Sequence, residues 1–200
     1  MADNSLSSNH QSHRTTEQLI VQSFINLLNK TPNHPLKVTD ICREASINRG
    51  TFYHYFESEA ELIEACEDHL VNKFFLFGQQ IFKHQTLTSF TKQLSTIHLN
   101  FFKQFVDELP LIDVLLHKSP RSHLTDKLIE VIENSGTAGL AMLAPHSNKQ
   151  LRTLIAVDSA AEVVGLLSYW SMHPDIKPNV LADLLSLSEK GQFTLLQAKN

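Results

Sequence analysis

The sequence predicts an all-α protein: a three-helix helix-turn-helix head joined by a long helix to a helical-bundle body. Three observations carry this. Apolar residues recur every three or four positions along most of the 200 residues, as in Leu62, Ile63, Cys66, Leu70, Phe74 and Phe77. No stretch alternates apolar and polar with a period of two for long enough to make a strand. Prolines 32, 35, 110, 120, 145 and 178 fall at the edges of the periodic runs rather than inside them.

In chain order, residues 1–13 are rich in Ser, Asn and His with one leucine, a composition that predicts a disordered tail. The first helix begins near Thr15 or Thr16, where Thr15-x-x-Gln18 has the pattern of a capping box. Ile20, Phe24, Leu27 and Leu28 form its inner stripe, and Thr31-Pro32 ends it.

The stretch from Lys37 to Phe56 reads as two short helices joined by a tight turn. Val38, Ile41, Cys42 and Ala45 share a face of the first. Asn48 is a good N-cap for the second, Arg49 to about Phe56, which Phe52 and Phe56 anchor inward. Around them stand hydrogen-bonding side chains and Gly50, which lets a partner backbone come close. This spacing is that of a helix-turn-helix, whose second helix enters the DNA major groove.

Ser58-x-x-Glu61 caps a long helix running to about Phe82, and helices follow over Leu87 to about Val106 and from Pro110 to about His117. Leu124 to Leu143 is the next helix, loosened by Gly136 and Gly139 and stopped by Pro145. Asn148 to about Met172 is long, and Pro178 to about Lys190 closes the chain with Gly191 as C-terminal cap. The domains expected are therefore the tail (1–13), the head (14–73) and the body (74–200).

The string VTDICREASINRGTFYHYFESEAEL resembles the N-terminal domain of the TetR family of bacterial transcriptional regulators, over about Thr16 to Leu62. The resemblance implies a homodimer on a palindromic double-stranded operator, a small-molecule effector bound in the body, and the long helix as lever between the two. It assigns DNA contact to Lys37, Thr39, Asn48, Arg49, Gly50, Thr51, Tyr53, His54 and Tyr55. Lys37, Tyr53 and Tyr55 would hold phosphates, and Arg49, Thr51 and His54 would lie nearest base edges. Three positions depart from the family pattern: Lys37 where Ser or Thr is usual, Ser46 where Gly is usual, and Glu59 where Lys is usual.

Small residues on the long penultimate helix predict a close helix–helix contact. Ala156, Ser159, Ala160, Val163, Val164 and Leu167, with Leu181, Leu184 and Leu185 of the last helix, are the expected dimer interface, and the family also dimerises through its last two helices. Phenylalanine is concentrated between Phe74 and Phe105 among twelve in the chain. The effector pocket of the family lies among the central helices, so His98, Phe101, Phe102, Phe105, Tyr169 and Trp170 are the expected lining.

The net charge of −4 makes any attraction to DNA local rather than global. Glu59 and the acidic balance leave open a second reading, a relative with weakened DNA affinity that acts through a partner protein. No nucleophile motif, phosphate loop or paired-carboxylate signature points to an enzyme. Cys66 and His69, spaced i, i+3, fall short of a metal site, and no cofactor is expected. Two cysteines, Cys42 and Cys66, make no disulfide framework, and the N-terminus lacks a signal pattern, which fits the cytoplasm.

Overall fold

The computed structural model describes residues 4–32 and 36–197, and the described residues are helical with no strand. The chain divides into two units, one formed by residues up to Glu67 together with Val114–Ser122, the other by Asp68–Asp113 and residues from His123 onward.

In the first unit, α1 (Asn4–Lys30) begins inside the segment expected to be a disordered tail, because no proline or glycine interrupts it before Pro32. Ile20, Phe24, Ile25 and Leu28 are buried. Helix α2 (Val38–Glu44) buries Ile41 and Cys42. Lys37 brings no side-chain acceptor to its start; Asp40 supplies the return half of a cap, its carboxylate accepting from the Lys37 amide at 3.3 Å. Between α2 and α3 (Arg49–Tyr55), Ser46 carries the turn at φ 54°, the left-handed region that favours glycine. The first unit closes at Glu67 and includes a segment remote in sequence, Val114–Ser122. That segment is held by Lys118 Nζ donating to Asn29 Oδ1 at 2.5 Å, by Arg121 paired with Glu59 at 2.8 Å, and by Ser122 Oγ donating to Glu67 Oε1 at 2.8 Å.

Helix α4 (Glu59–Ile81) starts as expected, with Ser58 Oγ accepting from the Glu61 amide at 3.2 Å, and runs unbroken through the division into the second unit. There α5 (Leu87–Phe105) buries Phe90, Leu94, Ile97, His98, Phe101, Phe102 and Phe105 on one face. A 3-10 turn (Val106–Glu108) leads into the short α6 (Leu109–Asp113), and a π-helical turn (Val114–Lys118) ends the stretch expected as one helix to His117. Helices α7 (Leu124–Leu143) and α8 (Lys149–Met172) pack on each other, and α9 (Pro178–Gln197) packs along α5.

Two glycines behave differently from expectation. Gly191 lies within α9 rather than ending it, because Phe193 and Leu196 beyond it are buried in the core with Phe90 and Leu94. Burying two such side chains outweighs the ~1 kcal/mol that glycine costs in a helix. Gly139 does not loosen α7: a Cβ there would stand 2.3 Å from the Phe82 ring, so the glycine lets the ring lie against the helix backbone.

Candidate DNA-reading surface and effector cavity

In the head, Asn48 Oδ1 accepts from the Thr51 amide at 2.7 Å and fixes the start of α3. A Cβ at Gly50 would come within 3.1 Å of that capping oxygen, so this glycine keeps the cap free. Phe52 is fully buried, and its ring stacks at an angle on Phe56, 5.9 Å away. With two rings held inward, helical geometry turns the other side chains out: Lys37, Thr39, Asn48, Arg49, Tyr53 and His54 are exposed, and Thr51 and Tyr55 are half-buried. Arg49 Nη2 donates to the Tyr53 hydroxyl at 3.1 Å, and its guanidinium stands over the Tyr53 ring. That contact raises the Arg49 pKa and orders a cation and a phenol side by side on an exposed helix face. His54 and Tyr55 rings meet edge to face, 5.3 Å between centres.

Two nearby cations are partly neutralised. Arg43 is paired with Asp40, and Lys30 with Glu44 at 2.8 Å. Glu59, the departure at the start of α4, faces inward: its side chain is 15% exposed and bound to Arg121, itself 62% exposed.

The second unit holds a partly open cavity of about 110 Å³, walled by α4, α5, α7, α8 and α9. Phe74, Phe77, Phe82, Phe90 and Phe101 supply rings, while Val131, Ile132, Leu140 and Val163 supply aliphatic surface. Polar atoms come from His98, Ser135, Ser159 and Glu189. His98 Nδ1 lies 2.9 Å from Ser186 Oγ, and its Nε2 lies 3.0 Å from Glu189 Oε2. All three residues are buried.

Of the lining expected from sequence, His98 and Phe101 lie on the cavity wall. Phe102, Phe105 and Trp170 are fully buried elsewhere: Trp170 packs edge-on to Phe102 and donates its indole N–H to the Ile176 carbonyl at 2.8 Å, while Phe105 packs on Phe74. Tyr169 is half exposed and stacks on His173. Glu189 was missed, although its signal was present. Leu181, Leu185, Glu189 and Phe193 run at intervals of four, so a carboxylate sits in the apolar stripe of α9.

The expected dimer stripe is also placed differently. Ala156, Ala160, Val163, Val164, Leu167, Leu181 and Leu185 are buried within the protomer, and Ser159 lines the cavity. A small apolar stripe packs equally well on a helix of its own chain, and here α7 and α9 cover it. Leu184 alone of that set is exposed. It shares the outer flank of α8 and α9 with Leu154, Val157, Leu187 and Leu195, which are 41% to 71% exposed.

The fold and the capped recognition helix define a class, that of helix-turn-helix regulators with an all-helical body. Residues 25–66 match the family described as bacterial regulatory proteins, tetR family. The dhaKLM operon transcriptional activator DhaS of Lactococcus lactis is 38% identical over 48 residues, 24% of this chain and 26% of that protein. The Transposon Tn10 TetC protein of Escherichia coli is 24% identical over 198 residues, 92% of this chain and 91% of TetC. Among solved structures, the fatty acid degradation regulator FadR of Bacillus halodurans superposes with a TM-score of 0.65 at 16% identity, over 88% of this chain and 95% of that one. This likeness extends the shared fold to the body. None of the described helices is long and apolar enough to cross a membrane.

Proposed function

We propose that this regulator acts as a cytoplasmic homodimer, setting α3 of each protomer in the major groove of a palindromic operator and releasing it when a small effector enters the body. The observation that carries the DNA-reading part is the Asn48-capped helix that buries Phe52 and turns Arg49, Tyr53 and His54 outward. Tyr53, Tyr55 and Lys37 hold phosphates; Arg49, Thr51 and His54 reach base edges, with Thr39, Asn48 and Gly50 at the groove edge. Half-sites then lie ~34–36 Å apart, or further if the heads are splayed. The exposed leucines of α8 and α9 support dimerisation, since several large apolar side chains left in solvent on two helices that pack together favour a covering partner. The cavity supports the effector, and α4 links the two activities because it supplies cavity wall at Phe74, Phe77 and Gly78 and opens within the head. Repression is the simplest outcome, although one relative is named an activator.

A second reading, action through a partner protein with little DNA affinity, draws on the pairing of Arg43 and Lys30 with carboxylates. A gel-shift titration against the DNA flanking the protein's own gene decides between them. Binding that weakens steeply with salt supports the DNA reader; no shift at any salt supports the partner reading.

A further inference from the structure

We propose that the body cavity takes a small, neutral, largely apolar molecule with one hydrogen-bond donor, of the phenol or short-alcohol class, whose hydroxyl docks on Glu189 Oε1. This rests on the reading of the body as an effector-binding unit and narrows the effector's chemistry.

Size comes first. A cavity of about 110 Å³ compares with the ~150 Å³ apolar cavity known to admit benzene, so one ring with a small substituent fills it. The wall is mostly aromatic and aliphatic, which selects an apolar body.

The polar end is decided by counting hydrogens. Ser186 Oγ sits 2.5 Å from the Ala182 carbonyl, which takes its only hydrogen. Ser186 can then only accept from His98 Nδ1, 2.9 Å away, so Nδ1 carries a proton. Two arrangements remain for His98 Nε2 and Glu189 Oε2, 3.0 Å apart: imidazolium with carboxylate, or neutral imidazole with a carboxylic acid donating from Oε2. In both, Glu189 Oε1 is an acceptor. Glu189 is 6% exposed and lines the cavity, and Oε1 accepts no hydrogen bond among the described residues. A ligand there must bring a donor. Both arrangements leave the His98–Glu189 pair with no net positive charge, and Glu162 stands near it, so an anionic ligand loses its hydration without an opposing charge to offset it. A carboxylate ligand fares worst, since it brings acceptors to an acceptor.

The test is calorimetry and thermal shift on the full chain with phenol, toluene and benzoate. Phenol should bind, toluene about tenfold more weakly for want of the hydrogen bond, and benzoate not at all. Glu189→Leu should bring phenol down to the level of toluene. Glu189→Gln should keep the phenol preference, because its amide N–H donates to His98 Nε2 and its carbonyl still faces the cavity. Toluene equal to phenol, benzoate at least as tight as phenol, or a phenol preference that survives Glu189→Leu overturns the proposal. If Glu189→Leu does not fold, the wild-type series and Glu189→Gln decide. Gel shifts run in parallel keep the two readings apart: a protein that shifts DNA but ignores phenol loses only this inference.

Discussion

Arg121 Nη1 lies 2.8 Å from Glu59 Oε2, joining the residue that departs from the TetR pattern to a loop more than sixty positions away within the same unit. Burial pushes the Glu59 carboxyl above its ordinary value of 4.5, and Arg121 pulls it partly back. Glu59→Lys would set a cation against the Arg121 guanidinium at a side chain that is 15% exposed, and should lower stability by at least about 1 kcal/mol, since the ammonium also loses solvent there. Arg121→Glu added to it restores opposite charges and should recover most of the loss. Urea denaturation of the two single variants and the double variant measures the coupling. A coupling near zero would make the contact incidental.

Much of the fold was legible because its helices announce their ends. Asn48, Ser58, Asn148 and the prolines set the starts of α3, α4, α8 and α9 to within a residue. What sequence could not convey was which surface covers which. The Ala156–Leu167 stripe has the same pattern whether it faces α7 or a second protomer. Likewise, the residues of the π-helical turn and Arg121 join the head through contacts of Lys118 and Arg121 that no local pattern encodes. The cavity wall was harder to read: phenylalanine content does not tell lining from filling, and Phe102, Phe105 and Trp170 fill core while His98 and Phe101 line space.

At Ser46 the left-handed φ of 54° costs a non-glycine residue about 1–2 kcal/mol, partly offset by the smaller chain entropy of serine in the unfolded state. Ser46→Gly should therefore stabilise the head by roughly 0.5–1 kcal/mol, read as a higher denaturation midpoint. Ser46→Val should lower it, because a β-branched side chain tolerates this region least.

Acid stability should turn on Glu108. The His69 ring at 3.0 Å and Lys73 at 2.6 Å draw its carboxyl down from 4.5 to about 2, against the opposing effect of burial. A carboxyl depressed in the folded state contributes its stability above the unfolded value near 4.5 and loses it as pH falls towards 2. The drop corresponds to roughly 3 kcal/mol at most. Glu59 works in the opposite sense: held above 4.5, it favours the folded state less as pH rises through its folded value. Glu108→Gln should flatten the loss of stability below pH 4.5, measured by thermal melts across the acid range.

The proposed dimer surface can be separated from the core by two charge insertions. Ala160 is fully buried in the protomer, so Ala160→Glu should unfold the chain rather than free a monomer. Leu187 is 71% exposed, and Leu187→Glu should change protomer stability by no more than about 0.5 kcal/mol. In a two-fold interface the same substitution enters twice, which should dissociate the dimer in sedimentation experiments at micromolar concentration. A dimer that persists would move the interface away from the α8–α9 flank.

Arg49 and Tyr53 touch at 3.1 Å on an exposed face, while the adjacent Phe52 is fully buried and anchors the helix. Removing both outer side chains leaves that anchor and the Asn48 cap in place, so Arg49→Ala with Tyr53→Ala should cost no more than about 0.5 kcal/mol per position in folding. DNA affinity should collapse, because the variant loses a guanidinium able to reach a guanine edge and a phenol able to hold a phosphate. The single variants should differ in kind. Tyr53→Ala should weaken specific and nonspecific DNA alike, whereas Arg49→Ala should lose mainly the preference for the operator. Filter binding to operator and scrambled duplexes at two salt concentrations reads both effects. A melting temperature that falls together with binding would mean that the pair supports the helix, and α3 would then meet DNA through other residues.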